Sequence, residues 1–198
     1  MGESSQSLTN MKSIKINILS DRNFVSFFFF FPLLVNKERL NDLGVKIKFY
    51  EEQKDELWDA DVVFLDSKVM GWVRPIEDLL EIIESRRNPG RIIIWLDSSA
   101  STGTTHFEVL PVVDAYWKKQ YLRDLSLYSE PMSGARLFTD YYERQMGSQV
   151  ENVYLQHPLD MELAHKLQLS WNLGVGAYGI HNRVSNLLRL IPWWIKEY

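Results

Sequence analysis

Four short apolar runs, each bounded by polar or small residues and separated by helical patterning, constrain this chain more than any other feature. Ile14–Leu19 ends at Ser20-Asp21-Arg22, Val45–Phe49 follows Gly44, Val62–Leu65 ends at Asp66-Ser67, and Ile92–Leu96 ends at Asp97-Ser98-Ser99. Three of the runs are almost continuously apolar, as strands covered on both faces are. Val45–Phe49 instead alternates with Lys46 and Lys48, which reads as a strand nearer a sheet edge. Between the runs, Ile76, Leu79, Leu80, Ile82 and Ile83 recur at helical spacing, with Glu77, Asp78, Glu81 and Glu84 opposite. Pro75 suits a first helical turn, and Asn88-Pro89-Gly90 stops the chain before the fourth run. Gly44 is a helix stop after Arg39–Leu43.

A fifth strand is expected at Val112–Tyr116, after a short helix near Thr105–Leu110. The alternation predicts an α/β fold: a Rossmann-like, doubly wound, mostly parallel sheet in 3-2-1-4-5 order, with right-handed crossovers and helices on both faces. Beyond Lys118 the regularity decays. Tyr121–Tyr128 and Phe138–Met146 read as helices or loops rich in Tyr and charge, Val153–Leu155 as a short strand, and Asn182–Leu190 as a helix that Pro192 bends or breaks. Residues 1–11 are expected to be a disordered leader and 12–180 the domain. Residues 181–198 are expected to be a helical extension or the start of a link to a second domain, because Trp193-Trp194 calls for something to pack on.

The 198 residues carry a net charge of −4, which gives no reason to expect a nucleic-acid partner. The absence of cysteine excludes disulfides, thiolate zinc sites and cysteine nucleophiles, and it fits a cytoplasmic protein. Phe24–Val35, with five consecutive phenylalanines, is too short for a membrane crossing of about 20 residues and contains Pro32. It is expected to be a buried helix. The alternatives are a hydrophobic acceptor channel or a patch that leans on the inner membrane surface.

In an open parallel sheet, ligands bind beyond the carboxyl ends of the strands, where the strand order reverses. For order 3-2-1-4-5, that crevice lies between the first and fourth strands. It would be lined by Ser20, Asp21 and Arg22 on one side and by Asp97 through Thr104 on the other. The second loop is small and hydroxyl-rich, and Ser98, Ser99, Thr102, Gly103 and Thr104 are candidates to meet sugar hydroxyls or a phosphate. A helix cap with spare serines is the plainer reading. Asp97 and Asp21 are candidate general bases, against the commoner role of a loop hydrogen-bond acceptor. His106 is the histidine best placed for proton transfer, against a helix histidine with no role. Lys118, in Tyr116–Gln120, is a candidate for a phosphate or sugar contact. Asp66 closes the third strand, further from this expected crevice. Gly174–Gly179 matches G-x-G-x-x-G, but only about 19 residues follow, so a turn is the better reading. No phosphate-binding loop, H-E-x-x-H, G-x-S-x-G or metal-spaced carboxylate cluster occurs, and neither cofactor nor metal is expected.

Three segments carry a family resemblance. Trp95–Ser99 closing a central strand, Leu110–Gln120 and Gly134–Tyr142 resemble segments of GT-B-type glycosyltransferases of surface-polysaccharide synthesis. The likeness spans roughly residues 12 to 180 and concerns their amino-terminal domain. It implies that this domain holds a glycan or lipid-linked acceptor, and that a carboxyl-terminal domain missing from this chain binds the nucleotide-sugar. It further implies a metal-independent transfer whose base comes from a loop of the first domain, which nominates Asp21, Asp97 or His106. Without the second domain, independent catalysis is not expected. The alternative is a non-catalytic α/β binding or regulatory module of receiver type. That reading wants an acidic pair after the first strand, where Ser20-Asp21 gives a single carboxylate, an Asp after the third, which Asp66 supplies, and a lysine after the fifth, to which Lys118 is close.

Overall fold

The computed structural model describes residues 13–21, 23–71, 75–99, 101–130, 137–147 and 157–171. Six strands form one parallel sheet: β1 (Ile14–Leu19), β2 (Val45–Tyr50), β3 (Val62–Asp66), β4 (Ile92–Asp97), β5 (Ala115–Lys118) and β6 (Leu167–Leu169). The helices are α1 (Phe24–Val35), α2 (Lys37–Asp42), α3 (Ser67–Met70), α4 (Ile76–Ser85) and α5 (Leu137–Met146).

The sheet order is β2-β1-β3-β4-β5-β6, which corrects the expected 3-2-1-4-5 arrangement. The reason lies in the strands themselves. In β3, Val63, Phe64, Leu65 and Asp66 are all buried, so both faces need cover and an interior position. In β2, Lys46 and Lys48 are exposed, and an interior position would bury both ammonium groups. So β2 takes the edge and β3 pairs directly with β1, Ile16 against Val62 through Leu19 against Leu65. The loops after β1 and β3 diverge there, and the reversal point moves from β1/β4 to β1/β3.

Strand alternation feeds two cores. Leu19, Val63, Leu65, Ile93, Trp95, Tyr116 and Leu167 face one side, where Leu79 and Ile83 of α4 cover them. Ile18, Phe64, Ile94 and Leu96 face the other, under Phe29 and Phe30 of α1. Helices therefore lie on both faces, and the phenylalanine run is a buried helix. Fully burying each of Phe29 and Phe30 contributes about 1.5–3 kcal/mol. Asn23 caps α1 by accepting from the Ser26 amide at 2.9 Å. Trp171, just past β6, closes this layer: it stacks on Phe29 with centroids 5.1 Å apart and donates from Nε1 to the Phe29 carbonyl at 2.6 Å.

Three other elements differ from expectation. The fifth strand runs Ala115–Lys118 rather than Val112–Tyr116, and the preceding helix is a single 3-10 turn at Phe107–Val109. Tyr121–Tyr128, expected as a helix or a loop, is a loop that holds one 3-10 turn, Leu125–Tyr128. β6 falls where no strand was expected, being three residues long with Gln168 and Leu169 exposed. The expected leader, the Val153–Leu155 strand, the Gly174–Gly179 turn, the Asn182–Leu190 helix and the 181–198 extension lie outside the described residues. Among the described residues no helix is long and apolar enough to cross a membrane.

Candidate functional site

Asp97 ends β4 and points into the α4-side core, fully buried, as does Lys118 two residues past Tyr116 on β5. Lys118 Nζ lies 2.8 Å from Asp97 Oδ2 and also donates to the Thr104 carbonyl at 2.6 Å and to Ser99 Oγ at 3.0 Å. Tyr116 OH donates to the same carboxylate at 2.6 Å and accepts from the His106 amide at 2.9 Å. Ser99 donates its amide to Asp97 Oδ1 at 3.0 Å, and its hydroxyl also bonds that oxygen. Burial raises the Asp97 pKa, but Lys118, His106 and the hydrogen bonds outweigh it and hold the carboxyl below its ordinary value. Burial pulls Lys118 below the usual lysine range, with Asp97 opposing. A carboxylate engaged in this way holds its loop in place, and its lowered pKa is the wrong direction for a general base near neutrality.

Asp97 thus anchors the loop that follows it. Tyr128 OH bonds the Thr102 carbonyl and accepts the Leu122 amide, fastening the far side of the loop. Gly103 is buried, and its amide donates to Ser101 Oγ at 3.2 Å. Ser99, Thr102 and Thr104 remain half-buried, and among the described residues the side-chain hydroxyls of Thr102 and Thr104 have no partner.

His106 is 8% exposed, its ring tilted against Trp95 with centroids 5.5 Å apart. Its Nδ1 lies 3.4 Å from Glu108 Oε1, too poorly aligned for a hydrogen bond. A Cβ on Gly71 would come within 2.7 Å of its Cε1, so that glycine makes room for the ring. Burial raises the Glu108 pKa, and contact with His106 helps bring it below its usual value. His106 is therefore enclosed on the same side as Asp97.

On the α1 side of the carboxyl edge, the β1/β3 reversal point gathers a second group. Asp66 is fully buried. It accepts from Ser20 Oγ at 3.0 Å, Ser98 Oγ at 2.8 Å and the Lys68 amide at 3.0 Å. Burial raises its pKa, and these hydrogen bonds and Lys68 only partly oppose the rise. Lys119, just past β5, is 8% exposed, and burial, followed by Lys68 and Lys118, lowers its pKa against the opposing Asp97 and Asp66. Asp21 stands at the entrance to α1, where its carboxylate accepts from the Asn23 side chain and the Ser26 hydroxyl. Arg22 lies outside the described residues.

The structure therefore divides the expected site. Ser20 and Ser98 meet at Asp66; Ser99, Thr104 and Lys118 meet at Asp97; Asp21 is engaged by the first turn of α1. Asp66, expected to stand further from the crevice, lies at the β1/β3 reversal point because β3 pairs directly with β1. Among the described residues, no three His, Asp or Glu side chains converge to hold a metal. No protein-family model, curated protein or solved structure matches the chain.

Proposed function

We propose that this domain is the acceptor-binding half of a glycosyltransferase that moves a sugar from a nucleotide-sugar to a glycan or lipid-linked acceptor. The observation that carries the reading is the 98–104 loop, a hydroxyl-bearing rim fixed over the carboxyl edge by the Asp97–Lys118 pair, Tyr116 and Tyr128. A polyhydroxylated ligand is bound best by donors and acceptors already held in place, because little ordering entropy remains to be lost. Thr102 and Thr104 offer such hydroxyls beside a sheet edge where parallel α/β folds bind ligands. The likeness of Trp95–Ser99, Leu110–Gln120 and Gly134–Tyr142 to polysaccharide-synthesis enzymes points the same way. The nucleotide-sugar would be held by a second domain, and the location would be the cytoplasm at the inner membrane surface, where lipid-linked acceptors are found. Asp21 and His106 remain the groups to test as the base, His106 only if domain closure opens its pocket.

The test is a saccharide array probed with the whole chain, followed by the Thr102→Val and Thr104→Val variants. The reading expects selective saccharide binding that each variant weakens several-fold with folding intact. Absence of any saccharide binding, or binding indifferent to both variants, counts against it.

A receiver-type module is the second reading, favoured by one specific observation. The order β2-β1-β3-β4-β5 sets Asp66 at the end of β3 beside Ser98 after β4, with Lys119 following β5. Against it, Asp66 is wholly enclosed, and a single carboxylate, Asp21, follows β1 and is engaged at α1. Incubation with acetyl phosphate and magnesium distinguishes the two: a phosphate-sized mass gain on Asp66 supports the receiver module.

A further inference from the structure

His106 carries a polar atom that the fold encloses without a partner. The residue is buried, its backbone amide donates to Tyr116 OH at 2.9 Å, and its ring packs against Trp95. Nδ1 is inaccessible to solvent and makes no hydrogen bond. A buried polar atom in that state is uncommon in a folded protein and calls for a reason. The group that answers it is Glu108, in the 3-10 turn Phe107–Val109 that follows His106. Its Oε1 stands 3.4 Å from Nδ1, with the two side chains only 10% and 15% exposed. Burial raises the Glu108 pKa, and the His106 ring is the largest of the contacts that bring it below its ordinary value, so the carboxylate is charged at neutral pH. Contacts of this kind are often long before a ligand arrives, and a small rotation of either side chain closes the gap.

The other edge of the ring is set differently. Its Cε1–Nε2 edge faces Gly71, where a Cβ would stand 2.7 Å from Cε1 and 2.9 Å from Nε2. No side chain stands at that point, and among the described residues no hydrogen bond reaches Nε2. The two ring nitrogens therefore meet unlike surroundings, a carboxylate at Nδ1 and a bare glycine at Nε2.

The geometry points to Glu108 as a positioning residue that holds the proton of neutral His106 on Nδ1 and leaves Nε2 as the proton-accepting nitrogen. An ionised carboxylate accepts hydrogen bonds and cannot donate one, so it selects the tautomer that turns an N–H toward it. A ligand hydroxyl that passes its proton to Nε2 keeps the electron pair on its own oxygen, and Glu108 offsets the charge of the imidazolium that forms. The inference rests on the acceptor reading for the hydroxyl it would serve. It selects His106 over Asp21 as the base, since the Asp21 carboxylate is engaged by Asn23 and Ser26 at the start of α1.

The experiment is a long-range proton–nitrogen correlation spectrum of the histidine rings in the whole chain, at a pH where they are neutral, alongside the saccharide array. The His106 signals are assigned by their loss in His106→Gln. Wild type is expected to show a protonated Nδ1 and a bare Nε2. Glu108→Ala should move the proton to Nε2, the tautomer an unassisted neutral histidine favours, with the amide spectrum little changed. Glu108→Gln, which keeps a carbonyl acceptor in the same place without the charge, should retain the wild-type tautomer. A role for Glu108 in packing alone would leave one tautomer in all three proteins. His106 with its proton on Nε2 in wild type, or an unchanged tautomer in Glu108→Ala, overturns the proposal. The Nδ1 tautomer without any saccharide binding would keep the positioning role and defeat the acceptor reading; saccharide binding with the proton on Nε2 would do the opposite.

Discussion

Replacing Lys118 with methionine keeps the bulk of the side chain and removes its charge, leaving Asp97 alone in the core. The loss has two parts. Thr104 O and Ser99 Oγ each lose a donor, together about 1–2 kcal/mol at any pH. Asp97 must then either stay charged without its counter-ion or take a proton. Starting from an ordinary carboxyl value of about 3.9, taking a proton costs about 1.4 kcal/mol per pH unit, so this part is capped near 4 kcal/mol at pH 7. The hydrogen bonds from Tyr116 and Ser99 stay and reduce it. A total of about 4 kcal/mol at pH 7 follows, within the range for breaking a buried pair. The sign of the pH dependence is fixed. In the wild type Asp97 titrates below its unfolded value, so its contribution is present above pH 4 and is lost only as pH falls through the folded value. In Lys118→Met the folded value rises, so stability is present below the unfolded value and lost as pH rises. The gap between the two proteins should therefore shrink to about 2 kcal/mol by pH 5. Urea unfolding at several pH values measures it. A penalty under about 1 kcal/mol at pH 7, or one equal at pH 5 and pH 7, refutes the reasoning.

Four further outcomes are expected. Asp66→Asn should gain stability relative to wild type as pH rises from 4 to 7, since the raised value of Asp66 means its charged form weakens the fold; thermal melts across that range check it. Gly71→Ala should cost about 1–3 kcal/mol and shift the His106 ring resonances, because the new Cβ meets Ser67 O at 2.4 Å and His106 Cε1 at 2.7 Å. Trp171→Phe should cost about 1 kcal/mol by chemical denaturation, the net worth of the bond to Phe29 O with most of the stacking retained. Gly44→Ala, at φ +78°, should cost about 1 kcal/mol in the same assay, through backbone strain alone.

The layers of this fold were legible because each strand's own pattern reports how many of its faces are covered. Ile92–Leu96 and Val62–Leu65 read as doubly covered, and they are. The strand order was misread although the chain contained its correction. Lys46 and Lys48 mark β2 as an edge strand, and an edge β2 is incompatible with order 3-2-1, which encloses it. Carrying that one inference through would have put Asp66 at the reversal point and Ser98 beside it. The pairing of Asp97 with Lys118 was less accessible. It depends on strand register, Asp97 opposite Lys118, and on both side chains facing the α4 side, and the three-residue shift of β5 from its expected start hides both. β6 was invisible for a simpler reason: three residues with one buried side chain carry no periodicity.

The most direct test of the central claim is an amide-resolved NMR titration of the chain with a saccharide selected from the array. The account predicts shifts confined to the carboxyl edge, at residues 20–23, 66–68, 98–106 and 118–120. Shifts instead at the opposite pole of the sheet, around Asp59–Asp61 and Asn88–Arg91, would contradict it.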